Sequence, residues 1–402
     1  MKSLSIPAIV IAPALVIALL SCNSVNNNKH PNTITTLNLE AAIDDVRDIR
    51  LSEIAGEIRH IPLETRPDAL IGARSGQGII PAGQYLLAPQ ARNPLMVFAD
   101  DGRFIRSIGS IGRGPGEYSA EYYVVWCEAS EHLFIKNNYG GNIYEYDLEG
   151  NFIKSFETEQ QLLVFEALGN GMFVGALSLF FEADTLGYNY ILFDNTGKTI
   201  EKYRIPGNAI VDLAGPGSPQ RQALIVQPRI LRTPDGVNII TNRNDTLFSV
   251  NKSGQFHPAL TWEKGKYKPD FPSYLSTDKT IEGVTGFINI ISITETSSFI
   301  FILYTLDGTQ GRLLFNKKDG DIFRIGNVIN DIDGTVPGMP GLIQYGNEIT
   351  LMTGPQALKK NLLSGTYDSE AVKYPDRNRA FREMVESLTD NSNPVVTTIM
   401  FR

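Results

Sequence analysis

A repeated strand–turn–strand pattern is the feature of this sequence that most restricts its fold. In the clearest copies an alternating apolar strand runs into a tight turn that ends in glycine, and a second strand follows. The turn glycines Gly102, Gly150 and Gly197 lie 48 and 47 residues apart, and weaker copies turn at Gly254 and Gly320. Near-constant spacing marks a repeat array, and wider spacing in the second half is typical of loop insertions. Each glycine suits the positive φ that a hairpin turn requires.

Each repeat holds four strands, because a second hairpin lies between successive copies, as around residues 133–135 and 172–174. Four strands in about 47 residues are typical of a propeller blade, which cannot bury its faces alone, so the array must close into a ring. Pairing of the apolar strands 58–63 and 394–401 within one blade removes an open sheet edge. We predict blades at roughly 68–110, 118–157, 160–204, 225–262 and 285–326, and a sixth built from both ends of the chain.

One segment follows a helical pattern. From Asp376 to Leu388 the apolar residues recur at i, i+3, i+4 and i+7, after Pro375 at the expected start. We expect this amphipathic helix to pack on the outside or on an end face of the ring. The sequence therefore predicts an all-β, six-bladed β-propeller with one C-terminal amphipathic helix.

The charge balance argues against a nucleic-acid partner. The chain carries 36 Lys and Arg against 44 Asp and Glu, which gives a net charge of −8. Proteins that bind nucleic acid usually carry a basic domain or stripe, because phosphate contacts supply much of the affinity. We therefore expect no nucleic acid among the partners.

The N-terminus has the pattern of a targeting segment. Lys2 is followed by an apolar stretch over residues 6–20, which is typical of a secretory signal. That stretch is short for a membrane-spanning helix, which needs about 20 residues. It ends in Leu19, Leu20, Ser21 and Cys22, which resembles the bacterial lipobox, where cleavage precedes a cysteine that then carries lipid.

The predicted domain organisation follows from this cysteine. We expect a lipoprotein signal peptide at 1–21, a flexible tether at 22–48 and the propeller at 49–402. Cys22 is then the lipid-attachment site, and an ordinary cleaved signal peptide is the alternative. The second cysteine, Cys127, has no remaining intrachain partner, and its apolar neighbours predict a buried strand thiol.

A Gly-rich segment carries a family resemblance. Residues 111–118, with the sequence IGRGPGEY, resemble the GxGPGEY signature of the six-bladed β-propeller lipoproteins of Bacteroidota, which are similar to NHL-repeat propellers. The segments 51–64 and 393–396 support the resemblance, which covers nearly all of the mature chain. It implies the fold and the cell envelope, but no common activity.

The same segment has two interpretations at the level of residues. Its glycines mimic part of a phosphate-binding loop, but no Lys-Ser/Thr follows and no βαβ context surrounds them, so a nucleotide site is not expected. One interpretation is a tight crossover between blades in which Pro115 fixes φ. The other is a loop on one ring face that offers Arg113, Glu117 and Tyr118 to a ligand. Both remain open.

Signals for catalysis are sparse. The four histidines His30, His60, His132 and His257 lie far apart without the spacing of metal ligands, and no G-x-S-x-G motif is present. We therefore predict neither a metal site nor a cofactor. The alternative is a lactonase-like hydrolase or a lyase with calcium in the central funnel, for which Asn137, Asn138 or Asn242 supply oxygen ligands.

Taken together, these patterns favour a membrane-tethered, non-enzymatic propeller that binds a glycan, a peptide or a protein partner. Surface-exported lipoproteins of the resembled group carry acidic residues just after the lipidated cysteine, whereas here Glu40 is the first. The retention signal of enteric bacteria, an Asp after the cysteine, is replaced by Asn23. The resemblance therefore implies an outer-membrane lipoprotein that faces the periplasm.

Overall fold

Six β-sheets of four or five strands, arranged as the blades of a β-propeller, make up most of the structure. The computed structural model describes residues 34–72, 77–138, 140–177, 188–205, 229–240, 245–268, 286–335, 343–367 and 372–402. All of them belong to one unit, Ile34–Arg402. The predicted signal peptide and Cys22 lie outside these residues.

The first three blades are each a four-stranded antiparallel meander. Blade 1 consists of β4 (Ile80–Ala82), β5 (Tyr85–Ala88), β6 (Leu95–Ala99) and β7 (Phe104–Ile108). Blade 2 consists of β10 (Tyr122–Cys127), β11 (His132–Asn137), β12 (Asn142–Asp147) and β13 (Phe152–Glu157). Blade 3 consists of β14 (Leu162–Gly169), β15 (Met172–Leu177), β16 (Tyr190–Asp194) and β17 (Thr199–Tyr203). The short pair β8 (Ser110–Ile111) and β9 (Glu117–Tyr118) connects blades 1 and 2.

Blades 4 and 5 follow the same pattern and each gain a fifth strand. Blade 4 consists of β18 (Arg229–Thr233), β19 (Gly236–Ile240), β20 (Thr246–Asn251) and β21 (Phe256–Glu263), and a 3-10 turn follows at Gly265–Tyr267. Blade 5 consists of β22 (Asn289–Glu295), β23 (Phe299–Leu306), β24 (Thr309–Asn316) and β25 (Ile322–Ile329). The predicted positions of these five blades are confirmed.

Blade 6 closes the ring with strands from both ends of the chain. It consists of β26 (Ile343–Tyr345), β27 (Glu348–Thr353), β28 (Val395–Phe401) and β3 (Ala55–Pro62). β28 pairs antiparallel with β3, from Val395 opposite Pro62 to Ile399 opposite Ile58. The predicted pairing of the two termini is therefore confirmed, and it leaves β28 hydrogen-bonded on both sides.

The hydrophobic core lies between neighbouring blades. One cluster joins Leu95 and Val97 of blade 1 to Val124 and Leu133 of blade 2, and all four side chains are at most 1% exposed. The sequence produces this packing because the central strands of each blade are apolar on both faces, so that each face buries against the next blade.

Two turn glycines show why the repeat carries glycine. Gly102 and Gly197 have φ values of 90° and 87°, which disfavour any side chain. A Cβ on Gly102 would lie 2.2 Å from the Pro62 carbonyl oxygen, and one on Gly197 would lie 2.0 Å from the Glu157 carbonyl oxygen. Each turn therefore abuts the outer strand of the preceding blade, and only glycine allows this approach.

The N-terminal boundary of the propeller lies earlier than the sequence predicted. Residues 34–48, which we had assigned to the tether, form β1 (Thr35–Asn38), α1 (Leu39–Asp44) and most of β2 (Val46–Arg50). β1 adds to β21 and β2 adds to β25, both in parallel. Leu37, Leu39 and Ile43 are at most 5% exposed, and this burial against blades 4 and 5 stabilises the segment. A further short helix, α2 (Leu51–Ile54), leads into β3.

A helical insertion separates β27 from β28. It contains α3 (Pro355–Leu363) and α4 (Pro375–Ser387). α4 is the predicted C-terminal helix, and it buries Phe381 and Val385 on its predicted apolar face. The expectation of one helix was incomplete: α3 has nine residues, and α1 and α2 have six and four, so each is too short to show a sustained helical period in the sequence. No helix in the described part of the chain is long and apolar enough to cross a membrane.

A buried polar network fixes this insertion to the ring. The His60 ring on β3 bonds through Nδ1 to Thr397 Oγ1 at 3.0 Å and through Nε2 to Asp333 Oδ2 at 3.1 Å. The same ring packs against Phe381 of α4, with 4.3 Å between ring centroids. Asn378 of α4 donates to the Asp333 carbonyl oxygen at 2.7 Å. The network therefore connects three parts of the molecule. These are the paired strands β3 and β28 from the two ends of the chain, the segment just after β25, and the helix α4.

Candidate functional site

The Glu117 side chain forms a hydrogen bond within the Gly-rich loop, residues 111–118. Its Oε2 accepts a hydrogen bond of 2.7 Å from the Gly114 amide, and this bond holds the pKa of Glu117 below its usual range. A Cβ on Gly112 would lie 1.9 Å from the same oxygen, and one on Gly114 would lie 3.1 Å from it. The glycines therefore give the carboxylate room to fold back onto the loop backbone.

Tyr118 lies in the core rather than on a ligand-binding surface, which corrects its assignment as a ligand candidate. The side chain is 0% exposed, and burial raises its pKa. Its hydroxyl accepts from the Leu95 amide at 2.8 Å and donates to the Ile108 carbonyl oxygen at 2.6 Å. The ring packs edge-on against Tyr122, with centroids 4.7 Å apart. The tyrosine therefore joins blades 1 and 2.

Of the three loop candidates, Arg113 is exposed to solvent. Glu117 is engaged by the loop backbone, and Tyr118 is engaged by blade 1. The structure thus supports the crossover interpretation for two of the three residues and does not bring the three together on one surface.

A cavity of about 690 Å³ opens where the innermost strands of five blades end. Its lining comes from the turns that follow β4, β10, β14, β18 and β26, and we call it the axial cavity. The strands β10, β14, β18 and β22 lie side by side around the axis of the ring. The cavity therefore occupies the centre of the face at which the first hairpin of each blade turns.

Arg232 connects three blades in the wall of the axial cavity. From β18, its Nη2 donates to the Trp126 carbonyl oxygen on β10 at 2.5 Å and to Glu166 Oε2 on β14 at 2.7 Å. The side chains of Arg232 and Glu166 are 16% and 10% exposed. Because both charges are largely withdrawn from water, each depends on the other for compensation.

The wall also carries three further charged groups. Glu128 and Lys252 are exposed, and Glu348 is partly buried. Burial raises the pKa of Glu348, and the Arg59 guanidinium, with Nη2 3.9 Å from Oε1, opposes that rise. The axial cavity is therefore lined by charges of both signs and by apolar side chains, among them Trp126, which is 5% exposed.

The sequence contains one weak signal for Glu166 and Arg232, and neither residue was predicted to belong to the site. Glu166 is a charged side chain within an otherwise mostly apolar strand, LLVFEALG, and Arg232 follows two apolar residues in RILRT. A charge at such a position requires a partner when the strand is buried. Nothing in a single sequence identifies that partner, because the two residues are 66 positions apart.

Of the three residues proposed for calcium, the structure describes Asn137 and Asn138, which are neighbours in the chain. Asn137 Oδ1 accepts from the Ser119 amide at 2.8 Å, at the end of β11 in blade 2, and Asn138 follows it. Asn242 lies outside the described residues. Among the residues the structure describes, no group of three or more His, Cys, Asp or Glu is placed to hold a metal ion.

The propeller fold is supported by one of three solved structures to which the chain is similar. A Bacteroides fragilis protein described as exported is similar over 92% of this chain and 100% of its own, with a TM-score of 0.69 and 15% identity. A Bacteroides vulgatus member of the DUF4221 family has a TM-score of 0.45 and 8% identity, over 87% of this chain and 97% of its own. Virginiamycin B lyase from Staphylococcus aureus has a TM-score of 0.37 and 12% identity, over 67% and 73%.

The family comparison covers almost the same residues as the structure. No curated protein matches the chain. The model of a domain of unknown function, DUF4934, matches residues 34–399, which begin at β1 and end within β28. The chain therefore belongs to the DUF4934 family.

Proposed function

We propose that this protein is a lipid-anchored propeller of the bacterial cell envelope that binds a peptide, either free or as part of a protein, in the axial cavity. The observation that carries the proposal is the cavity itself, which five blades line and which holds charges of both signs. Its volume of about 690 Å³ is within the usual range of ligand pockets. The structural likeness to an exported Bacteroides protein supports the envelope location.

The chemistry of the wall favours a peptide over a glycan. A peptide that carries both signs of charge can pair its cationic groups with Glu128 or Glu348 and its anionic groups with Lys252. A neutral glycan can hydrogen-bond to these groups but cannot neutralise their charges, and it binds best where an aromatic ring is open for stacking. The aromatic ring in this wall, Trp126, is 5% exposed and packs in the core between blades 1 and 2.

We favour binding without turnover over catalysis, because two carboxylates at or beside the cavity, Glu166 and Glu348, have cationic partners. Glu166 is engaged by Arg232 and is therefore not available as a general base. Glu348 has a raised pKa, and its carboxylate has the Arg59 guanidinium 3.9 Å away and the Thr398 hydroxyl as a hydrogen-bond partner. The calcium-dependent hydrolase or lyase remains the alternative.

Lipidation at Cys22 and kinship with NHL-repeat propellers are part of the same proposal.

Binding of the labelled full-length protein to defined peptide and glycan arrays tests this function. Ala129 lines the cavity and is exposed, so Ala129→Trp fills the mouth without removing a core contact. We expect peptide binding that Ala129→Trp weakens about tenfold or more and that Arg113→Ala, away from the cavity, leaves unchanged.

Two other outcomes would contradict the proposal. Binding that Ala129→Trp does not affect would place the ligand elsewhere, and binding to glycans alone would reject the peptide. Release of altered products that stops on calcium removal would favour the enzymatic alternative.

A further inference from the structure

A second cavity, independent of the axial one, lies along one face of blade 5. Arg312 on β24 pairs with Leu303 on β23. On the other side of β24, Leu313 pairs with Arg324 of β25, and the same register places Arg312 opposite Ile325. Leu303, Arg312 and Ile325 border a groove of about 490 Å³, which Gln310 and the end of β25 also line. We call it the blade 5 groove; none of its lining residues lines the axial cavity.

Arg312 carries a charge that the described residues do not compensate. Its Nε is buried without a hydrogen-bond partner, and no carboxylate oxygen of the described chain lies within 4 Å of the guanidinium. Burial lowers the pKa of Arg312, which shows that its surroundings oppose the positive charge. A buried cation is normally paired, because an unpaired one loses its hydration and gains no ion pair or hydrogen bond that compensates for the loss.

Other cations that are wholly or partly withdrawn from water have partners in the described chain, although the partner is not always a carboxylate: Lys136 donates to the Asn137 carbonyl oxygen at 2.7 Å. Lys264, with a side chain 4% exposed, has Asp245 Oδ1 at 3.1 Å, and Arg232 has Glu166 Oε2 at 2.7 Å. Lys317 of blade 5 has Glu295 Oε1 at 2.5 Å. Arg312 departs from this pattern at the point where it borders a groove, so the missing partner has space to bind from outside.

We propose that the blade 5 groove binds an anionic group, a carboxylate or a phosphate, with Arg312 as its charged ligand. The guanidinium fork matches the oxygen geometry of both groups. Gln310, on the same face of β24 two residues before Arg312, supplies an exposed amide beside it. A carboxylate near the end of β25, that of Asp48, accepts from the backbone and side-chain amides of Asn327 at 2.7 and 3.1 Å and is thereby engaged.

Calorimetric titration of the full-length protein at fixed ionic strength tests this site, with inorganic phosphate in one arm and citrate in the other. We expect saturable binding of at least one anion, which Arg312→Gln weakens about tenfold or more. Saturation by phosphate alone identifies a phosphate ligand, and saturation by citrate alone identifies a carboxylate ligand.

Two substitutions at Gln310 keep the test decisive if Arg312→Gln does not fold. Gln310 is exposed, so both Gln310→Glu and Gln310→Lys are expected to fold. Gln310→Glu gives Arg312 an internal partner and should weaken anion binding several-fold, whereas Gln310→Lys should preserve or strengthen it. The proposal is overturned if the unmodified protein shows no saturable binding of either anion. It is also overturned if neither the Arg312 nor the Gln310 substitutions change binding in these directions.

Discussion

Arg232 Nη2 donates to Glu166 Oε2 at 2.7 Å and so joins the innermost strands of blades 4 and 3 at the axis of the propeller. The same nitrogen also reaches the Trp126 carbonyl oxygen of blade 2. An interaction that spans three blades fixes the shape of the axial cavity as well as contributing to stability.

Removal of Arg232 should be strongly destabilising. Arg232→Met leaves the Glu166 carboxylate, 10% exposed, without its cation, and we expect a loss of about 3–5 kcal/mol in the free energy of unfolding. Urea unfolding followed by tryptophan fluorescence measures it. The double variant Arg232→Met with Glu166→Leu should recover most of the loss, and a double variant as unstable as the single one would show that the charge pair is not the cause.

Gly112→Ala should destabilise the loop between blades 1 and 2. The new Cβ would lie 1.9 Å from Glu117 Oε2, so the carboxylate must leave the Gly114 amide. We expect a loss of about 1–3 kcal/mol, measured by thermal or urea unfolding. Arg113→Ala is the matched control, because the side chain between these glycines is exposed and its removal should change stability little. Equal effects of the two substitutions would contradict this account of Glu117.

The sequence could predict the propeller because its main signals are local. The glycines of the hairpin turns, such as Gly102 and Gly197, are required by a positive φ and by the close approach of a neighbouring carbonyl group. The pairing of β3 with β28 could also be predicted, because a ring with an incomplete blade at each end has one way to close.

What the sequence could not predict depends on contacts between distant residues. β1 pairs with β21, where Thr35 stands opposite Leu260, and its short, mostly polar sequence gives no sign of that partner. For the same reason the Gly-rich loop looked like a binding surface: a Glu and a Tyr next to glycines indicate contacts, but not whether the contacts are with a ligand or with the protein. The axial pair of Arg232 and Glu166 has no motif at all.

Acid should destabilise the anchoring of the helical insertion. Burial acts to raise the pKa of Asp333, but hydrogen bonds from His60 and Thr335 outweigh it and hold the pKa below the ordinary 3.8. A lowered pKa stabilises the folded state above pH 3.8, and that contribution is lost as the pH falls further.

Asp333→Asn isolates this contribution. We expect the variant to be about 1–3 kcal/mol less stable at pH 7, with a smaller loss of stability between pH 5 and pH 2 than the unmodified protein shows. Unfolding curves at each pH measure both quantities. Parallel pH profiles for the two proteins would show that Asp333 does not titrate in this range.

Deletion of residues 392–402 should open the ring. The deletion removes β28, which lies between β27 and β3, and leaves two unpaired strand edges beside exposed core residues such as Ile58. We expect an aggregating or protease-sensitive product, measured by light scattering and limited proteolysis. Deletion of the exposed Arg402 alone is the control and should have little effect. A deletion product as soluble and heat-resistant as the full chain would contradict the closure.

Cys22→Ser should release the protein from the membrane fraction, since the proposed anchor is a lipid on that thiol. Cys127→Ser is the matched control, because Cys127 is buried in blade 2 and should not affect membrane association. Fractionation with palmitate labelling measures the anchor, and continued labelling of Cys22→Ser would reject it.

Protease added to intact cells then tests the side of the outer membrane: a periplasm-facing propeller stays intact until the membrane is permeabilised, whereas immediate digestion would place it on the cell surface.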